Sequence, residues 1–266
     1  MNDWTLNTIL IVIFSVLTAL ALGAWGIVYY LTYAVRSQIL GKTVWRGSED
    51  MNAVALTFDD GPSADTEKLL DVLRENNIKA VFFMVGKQVK KFPETARRIV
   101  AEGHEIGNHS HSHKILLFCS RRRIEYEIYK AQETITNTTG IAPRFIRPPC
   151  GVRTPTFFKT AWELKLQAIQ WSVAGFDWKR RTAKQIADAV LRKTKAGSII
   201  LLHDGDSEGK SDRQATVEAI PLILKGLEAR NLRILPLKQL IAKPDQKFTS
   251  LAQKKQSKRG ESKYES

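Results

Sequence analysis

The stretch "ALTFDDGPSADT" sets two carboxylates side by side, Asp59 and Asp60, after an apolar strand-like run and before a Gly-Pro turn. Neighbouring strand residues point to opposite faces, so at a strand end the pair can reach a cleft from two directions. Asp-Gly and Gly-Pro are also ordinary turn punctuation, and the pair alone leaves a plain turn open. Further along, "GNHSHSHK" places His109 and His113 four residues apart. That spacing lets two imidazoles converge on one ion from a helical turn or compact loop. With one aspartate of the 59–60 pair they would form a three-ligand set that leaves a position for water, as catalytic zinc sites do. A His-rich loop that only meets solvent is the alternative. His111 is expected to point away from the pair, and His104, which precedes its strand, to be structural. Arg147, Asp177 and His203 extend the series of polar residues at the ends of apolar runs. An imidazole at such a place suits proton transfer, because it titrates near neutral pH.

The elements that must position these residues are short. Between Asn52 and Leu237 apolar runs alternate with amphipathic segments, the pattern of an α/β fold with parallel strands. Seven strands are expected: "AVALTFD", "AVFFMVG", "EIGNH", "RFIRP", "QAIQWS", "SIILLHD" and "RILPL". Between them lie helical segments such as "DTEKLLDVLRENN", "PETARRIVAEG" and "TAKQIADAVLRKTKAG". Seven such units suggest a closed or nearly closed barrel, in which chemistry gathers where strands end and loops begin.

"TFDDGP", "HSHSH", "RPPCG", "GFDW" and "LLHD", in this order, resemble the motifs of NodB-type polysaccharide deacetylases, carbohydrate esterase family 4. The resemblance implies a distorted (β/α)7 barrel and metal-dependent removal of acetyl groups from N-acetylated or O-acetylated sugars. It assigns Asp59 as general base, Asp60, His109 and His113 as metal ligands, and His203 as general acid. It gives Arg147 the task of orienting Asp59 and the backbone N–H of Cys150 that of holding the oxyanion. Pro149, Trp178, Leu201 and Asp177 are expected at the substrate pocket. Zinc is the first expectation for the metal, with cobalt, nickel or manganese as alternatives. The chain departs from the pattern twice. Cys150 stands where tyrosine or a similar residue is usual; a small packed thiol is the first expectation and a reactive thiol beside the site the alternative. Ala174 stands where the first Asp of D-x-x-D-W is usual, so His203 is expected to lose support for its imidazolium. That loss also motivates a second class of function, a glycan-binding membrane protein without turnover.

The chain has 266 residues, 43% of them hydrophobic, with nine prolines, the composition of a folded protein. Ile9 to Leu31 carries no charge and exceeds the ~20 residues that cross a bilayer as a helix. Trp25, Tyr29, Tyr30 and Tyr33 gather near its end, where amphipathic rings favour the interface. A cleaved signal peptide fits less well, since no basic segment precedes the run. The expected organisation is therefore a membrane anchor over 1–36, a linker over 37–51, a deacetylase domain over 52–242 and a basic tail over 243–266. Arg36, Lys42 and Arg46 after the helix favour a cytoplasmic domain by charge. A polysaccharide substrate such as peptidoglycan or an exopolysaccharide favours the outer side, and a lipid-linked sugar the cytoplasmic one. The net charge of +14 and a pI near 9.8 favour anionic neighbours. No nucleic-acid motif is present, and the run "CSRRRIEYEIYK" is expected to open a helix with a solvated or membrane-facing surface. Two cysteines are too few for a disulfide framework. The expected partners are an N-acetylated glycan and, through the helix, membrane lipid; the sequence leaves oligomeric state open.

Overall fold

A computed structural model describes residues 3–206, 208 and 212–242. The expected tail at 243–266 lies outside the described residues. The central strand β1 (Ala53–Asp59) is buried along its whole length. Its alternate side chains serve two interiors: Val54, Leu56 and Phe58 join the main core, while Ala53 and Ala55 join a second cluster on the opposite face. Thr57 and Asp59 continue that second row towards the strand end.

In chain order the elements are α1 (Asp3–Thr32), β1, α2 (Ala64–Glu75), β2 (Val81–Met84), α3 (Gly86–Lys91), α4 (Pro93–Ala101), β3 (Glu105–Asn108) and α5 (Arg121–Thr139). They continue as β4 (Phe145–Ile146), α6 (Pro155–Glu163), β5 (Gln167–Ala168), β6 (Val173–Ala174), α7 (Ala183–Lys193), β7 (Ile199–His203), α8 (Gln214–Glu228), β8 (Arg233–Ile234) and α9 (Leu237–Leu240). The helices start where the sequence provides caps. Ser63 and Thr66 form a capping box for α2, as Thr182 and Gln185 do for α7. Thr154 caps α6 with Pro155 in its first turn. Ser120 caps α5, the helix opened by the basic run.

The strands pair in parallel in the order β5-β4-β3-β2-β1-β7-β6, with β8 beside the start of β1. The result is a curled, incomplete barrel carrying helices outside it. Eight strands form among the described residues, one more than expected. The addition is β6, where the two-residue pairing of Val173 and Ala174 with Ile200 and Leu201 is too short to leave a periodic signal. The run "AVFFMVG" ends early because Gly86 turns into α3, where a Cβ would meet the His111 ring at 2.6 Å.

The segment 37–51, expected as a linker, lies against the barrel. Val44 bridges to Ile169 and Arg46 to Ser198, and Ser37 and Thr43 are buried. Paired backbone at both barrel contacts satisfies donors that a free linker would leave to water.

Candidate active site

Register brings the functional residues to one level. Asp59, the last residue of β1, pairs with His203, the last of β7. Asn108 ends β3 opposite Ile146 of β4, so His109 and Arg147 both leave their strands at the same rim. Immediately after Asp59 the backbone of Asp60 enters the left-handed region at φ +78°, which separates the directions of the two carboxylates. Ser110, His113 and Cys150 share that region at φ +65°, +54° and +54°. Non-glycine residues held there are uncommon and cluster at functional sites.

A cavity of about 400 Å3 opens at this rim, lined by Asp59, Asp60, His109, His113, Cys150, Gly151, Trp171, Trp178, Leu201 and His203. On one side ligand atoms of Asp60, His109 and His113 lie within 4.8 Å of one another. Asp60 Oδ1 is 3.1 Å from His113 Nε2 and 3.4 Å from His109 Nε2. Donors at ~2.0–2.2 Å from a tetrahedral zinc ion stand about 3.3 Å apart, so the set has the spacing of a ligand group. The hydrogen bonding agrees. His109 Nδ1 meets the Arg147 carbonyl at 2.7 Å, which directs its Nε2 to the cluster, and buried Asp60 Oδ1 has no hydrogen-bond partner. Burial pushes Asp60 up, yet the imidazoles facing it, His109 foremost, hold its carboxyl below the usual range. Burial keeps His113 neutral by lowering its pKa despite the pull of Asp60. Burial also opposes charge on His109, but Asp59 and Asp60 outweigh it and raise its pKa, which marks a point that attracts positive charge. The three side chains fit a divalent cation.

Asp59 is held from behind. Arg147 Nη1 donates to Asp59 Oδ1 at 2.6 Å and to Thr57 Oγ1 at 2.8 Å, while Nη2 donates to the Gln170 carbonyl at 3.1 Å. The Arg147 guanidinium is fully buried, 4.1 Å from the Phe83 ring centre. Burial lowers its pKa against the raising effect of Asp59. Asp59 Oδ2 remains on the cavity side, 3.6 Å from His109 Nε2.

Across the cavity, His203 Nδ1 meets Asp177 Oδ1 at 2.9 Å. Asp177 Oδ2 accepts from the His203 backbone N–H at 2.7 Å and from Thr216 Oγ1 at 3.0 Å, and Arg213 Nη1 donates to the Asp177 carbonyl. Asp177 therefore sits buried behind the imidazole and not on the pocket wall. Burial pushes His203 down, but Asp177, followed by Asp60 and Asp59, raises it to about 9. This corrects the expectation drawn from Ala174. That residue lies on β6 paired with Leu201, and the imidazolium has its carboxylate in Asp177, three residues on.

Trp178 and Leu201 line the cavity as expected, with the Trp178 ring edge-on to His203 at 5.3 Å. Pro149 is buried in the turn Pro149–Gly151 and is not among the lining residues. Cys150 is exposed on the wall, contrary to the expected packed thiol. Burial of its sulfur, with Asp60 and Asp59 nearby, raises its pKa and keeps the thiol protonated. His111 points away, its ring against Tyr126, and buried His104 accepts from the Ala80 N–H. The sequence reading missed Trp171, Gly151, Thr57, Gln170, Thr216 and Arg213. Only Trp171 carried a signal, as an aromatic residue near the end of the strand-like run "QAIQWS".

The fold and this rim define the NodB class of curled parallel barrel. The family profile described as polysaccharide deacetylase matches residues 46–169. A peptidoglycan-N-acetylglucosamine deacetylase of Bacillus cereus is 40% identical over 185 residues, 69% of this chain and 66% of that protein. A chitooligosaccharide deacetylase of Sinorhizobium fredii is 39% identical over 206 residues, 74% of this chain and 96% of that protein. The crystal structure of the Bc1960 peptidoglycan N-acetylglucosamine deacetylase, in complex with 4-naphthalen-1-yl-N-oxidanyl-benzamide, is similar at a TM-score of 0.71 and 36% identity, covering 75% of this chain and 92% of that one. The chain belongs to the polysaccharide deacetylase family, carbohydrate esterase family 4.

Proposed function

We propose that the protein is a metal-dependent deacetylase that hydrolyses the acetamide of N-acetylated amino sugars in a glycan. One observation carries this reading: a carboxylate oxygen without a hydrogen-bond partner, Asp60 Oδ1, faces two imidazole nitrogens between an arginine-held carboxylate and an aspartate-held imidazole. Asp60, His109 and His113 would hold the divalent cation, zinc first by ligand type. When bound, such an ion supplies Lewis acidity, polarising the acetyl oxygen and lowering the pKa of water from about 15.7 toward ~7.

The chain's own groups do the rest. Asp59, oriented by Arg147, takes a proton from the attacking water through Oδ2. The water oxygen bonds to the acetyl carbon, and the Cys150 N–H, presented by the left-handed turn, supports the oxyanion. His203 holds its Nδ1–H on Asp177, so Nε2 carries the proton that passes to nitrogen as the C–N bond breaks. The products are acetate and a free amino sugar. Trp171, Trp178 and Leu201 wall the acetyl group and its sugar, in keeping with the apolar bodies that ligand cavities provide.

Residues 1–36 would anchor the protein in the cell membrane as a single span, with the catalytic domain outside the cytoplasm. The test is acetate release from N-acetylglucosamine oligosaccharides by the full chain in detergent. Activity should vanish with a chelator, return with Zn2+ and be absent in His109→Ala. Release that survives both chelation and His109→Ala would overturn the reading.

A further inference from the structure

Arg153 is a buried cation with no carboxylate partner among the described residues, and the chemistry above makes no use of it. Its donors are spent on the end of the apolar helix. Nε donates to the Thr32 carbonyl at 3.3 Å, Nη2 to Ala34 at 2.6 Å and Nη1 to Ser37 at 2.9 Å, and its backbone N–H donates to Thr32 at 3.1 Å. Thr32 is the last residue of α1, so the guanidinium meets the negative end of that helix dipole. Burial lowers the Arg153 pKa, as expected for a charge matched only by carbonyls.

The helix has the features of a span. Within Asn7–Thr32 the most apolar 18-residue window has a mean hydropathy of 2.4, and no part of that window is buried in the protein. Trp25, Tyr29 and Tyr33 stack at 5.8 and 5.7 Å, forming an interfacial belt around its C-terminal turns. With the helix across a bilayer, that belt would put Thr32 at headgroup level. Arg153 belongs to the loop that carries Arg147 and Cys150, and Cys150 is only three residues away. Three residues of chain span at most about 11 Å, so the cavity wall lies within roughly 15 Å of the Thr32 carbonyl in whatever direction it is measured.

Exposed apolar side chains stand on the segment after the helix, just before α5 and on α6, with basic residues close to the first two in the chain. Ile39 is 67% exposed, Phe118 80% and Trp162 80%. Ile39 precedes Gly41, which abuts Phe158 of α6, and Phe158 packs on the cluster of Leu116, Phe157 and Ala161, whose near neighbours in the chain are Phe118 and Trp162. Arg36 and Lys42 lie on the same segment as Ile39, and Arg121 and Arg122 open α5. Large exposed apolar side chains next to cations suit an anionic bilayer surface.

We propose that this face rests on the membrane and that the clamp holds the cavity at the bilayer surface, so the substrate is the glycan of a membrane-anchored, lipid-linked saccharide, deacetylated within its first few sugars. This rests on the deacetylase reading and holds on either side of the membrane. Arg153 is a positioning residue. The test uses the Zn2+-loaded full chain in vesicles containing anionic lipid. Acetate release is compared between a polyprenyl-phosphate-linked N-acetylglucosamine oligomer and the same oligomer free in water. The lipid-linked form should give kcat/KM at least about tenfold higher, as co-localisation on one surface raises effective concentration. Arg153→Met should remove most of that preference by raising KM for the lipid-linked form, with kcat on the free oligomer within about threefold of wild type. Should Arg153→Met fail to fold, Phe118→Ser with Trp162→Ser alters exposed positions only and should lower the preference in the same direction. Equal turnover of both substrates by wild type, or equal losses on both in the variants, would overturn the proposal and leave the deacetylase standing. No release from either substrate would overturn both.

Discussion

His203 and Asp177 show what a single side chain can do to the chemistry of its neighbour. The imidazole faces Asp177, Asp60 and Asp59, with the Trp178 ring at its edge, and burial is the largest effect opposing its proton. A pKa raised from 6.5 to about 9 keeps the acid protonated across neutral pH. The stability it contributes is present below the unfolded value near 6.5 and is lost as pH rises through about 9. A cation on Asp60 would offset part of that field and lower the value. Asp177→Asn should move the alkaline fall of kcat to lower pH by about one to three units, because the nearest negative charge is gone. His203→Ala should cost about 10²–10⁴-fold in kcat. A pH–rate profile of the two variants and wild type checks both, and an unmoved alkaline limb in a folded Asp177→Asn enzyme would remove Asp177 from its supporting role. Asp59, Asp60, His109 and His203 were legible in sequence because they stand at the ends of strand-like runs, and His113 by its four-residue spacing from His109. The service of Asp177 was not, since its partner lies 26 residues away and only the register of β6 and β7 brings them together.

At the scale of elements, the site is a set of strand ends joined by turns that must be built to fit. The turn after β1 is one. Asp204 accepts from the Gly61 N–H at 3.1 Å and from Thr66 Oγ1 at 2.6 Å, which ties the start of α2 to the end of β7. A Cβ on Gly61 would lie 1.9 Å from Asp204 Oδ2. Gly61→Ala should therefore lower stability by about 1–3 kcal/mol and Tm by several degrees, readable by thermal unfolding. The three proposed ligands come from the β1–α2 turn and the loop after β3, so a cation would link the ends of two strands that are not neighbours in the sheet. Zn2+ at a hundred times its Kd should stabilise the fold by about 2.7 kcal/mol, and His113→Ala should abolish the shift. An unaltered shift in that variant would place the metal elsewhere. The alternation of strands and helices was readable from residue type, whereas β6 and the docking of residues 37–51 were not. Both depend on pairing with distant backbone and leave no periodicity of their own.

On the scale of the whole molecule, an apolar rod and a basic catalytic body are joined at Arg153, and the sequence supplied the two parts without the joint. A buried arginine looks like a surface one in sequence, because its carbonyl partners are backbone and carry no residue signature. The joint also bears on sidedness. Positive residues flanking a span favour retention in the cytoplasm, but Arg36 stacks 4.9 Å from the Trp45 ring and Arg46 donates to the Ala196 carbonyl, so two of the three flanking charges are engaged by the folded domain. A domain that translocates largely regardless of charge can carry them across. The native cysteines provide the measurement. Cys150 is exposed at the cavity and Cys119 partly so, and a membrane-impermeant maleimide reaches them only from the domain's own side. With the domain outside, a Cys119→Ser protein should be labelled at Cys150 in intact cells after wall removal. The raised thiol pKa predicts that labelling will be slow at neutral pH and faster as pH rises. Labelling only after the membrane is opened would put the domain in the cytoplasm and restrict its substrates to sugars carried on the inner leaflet.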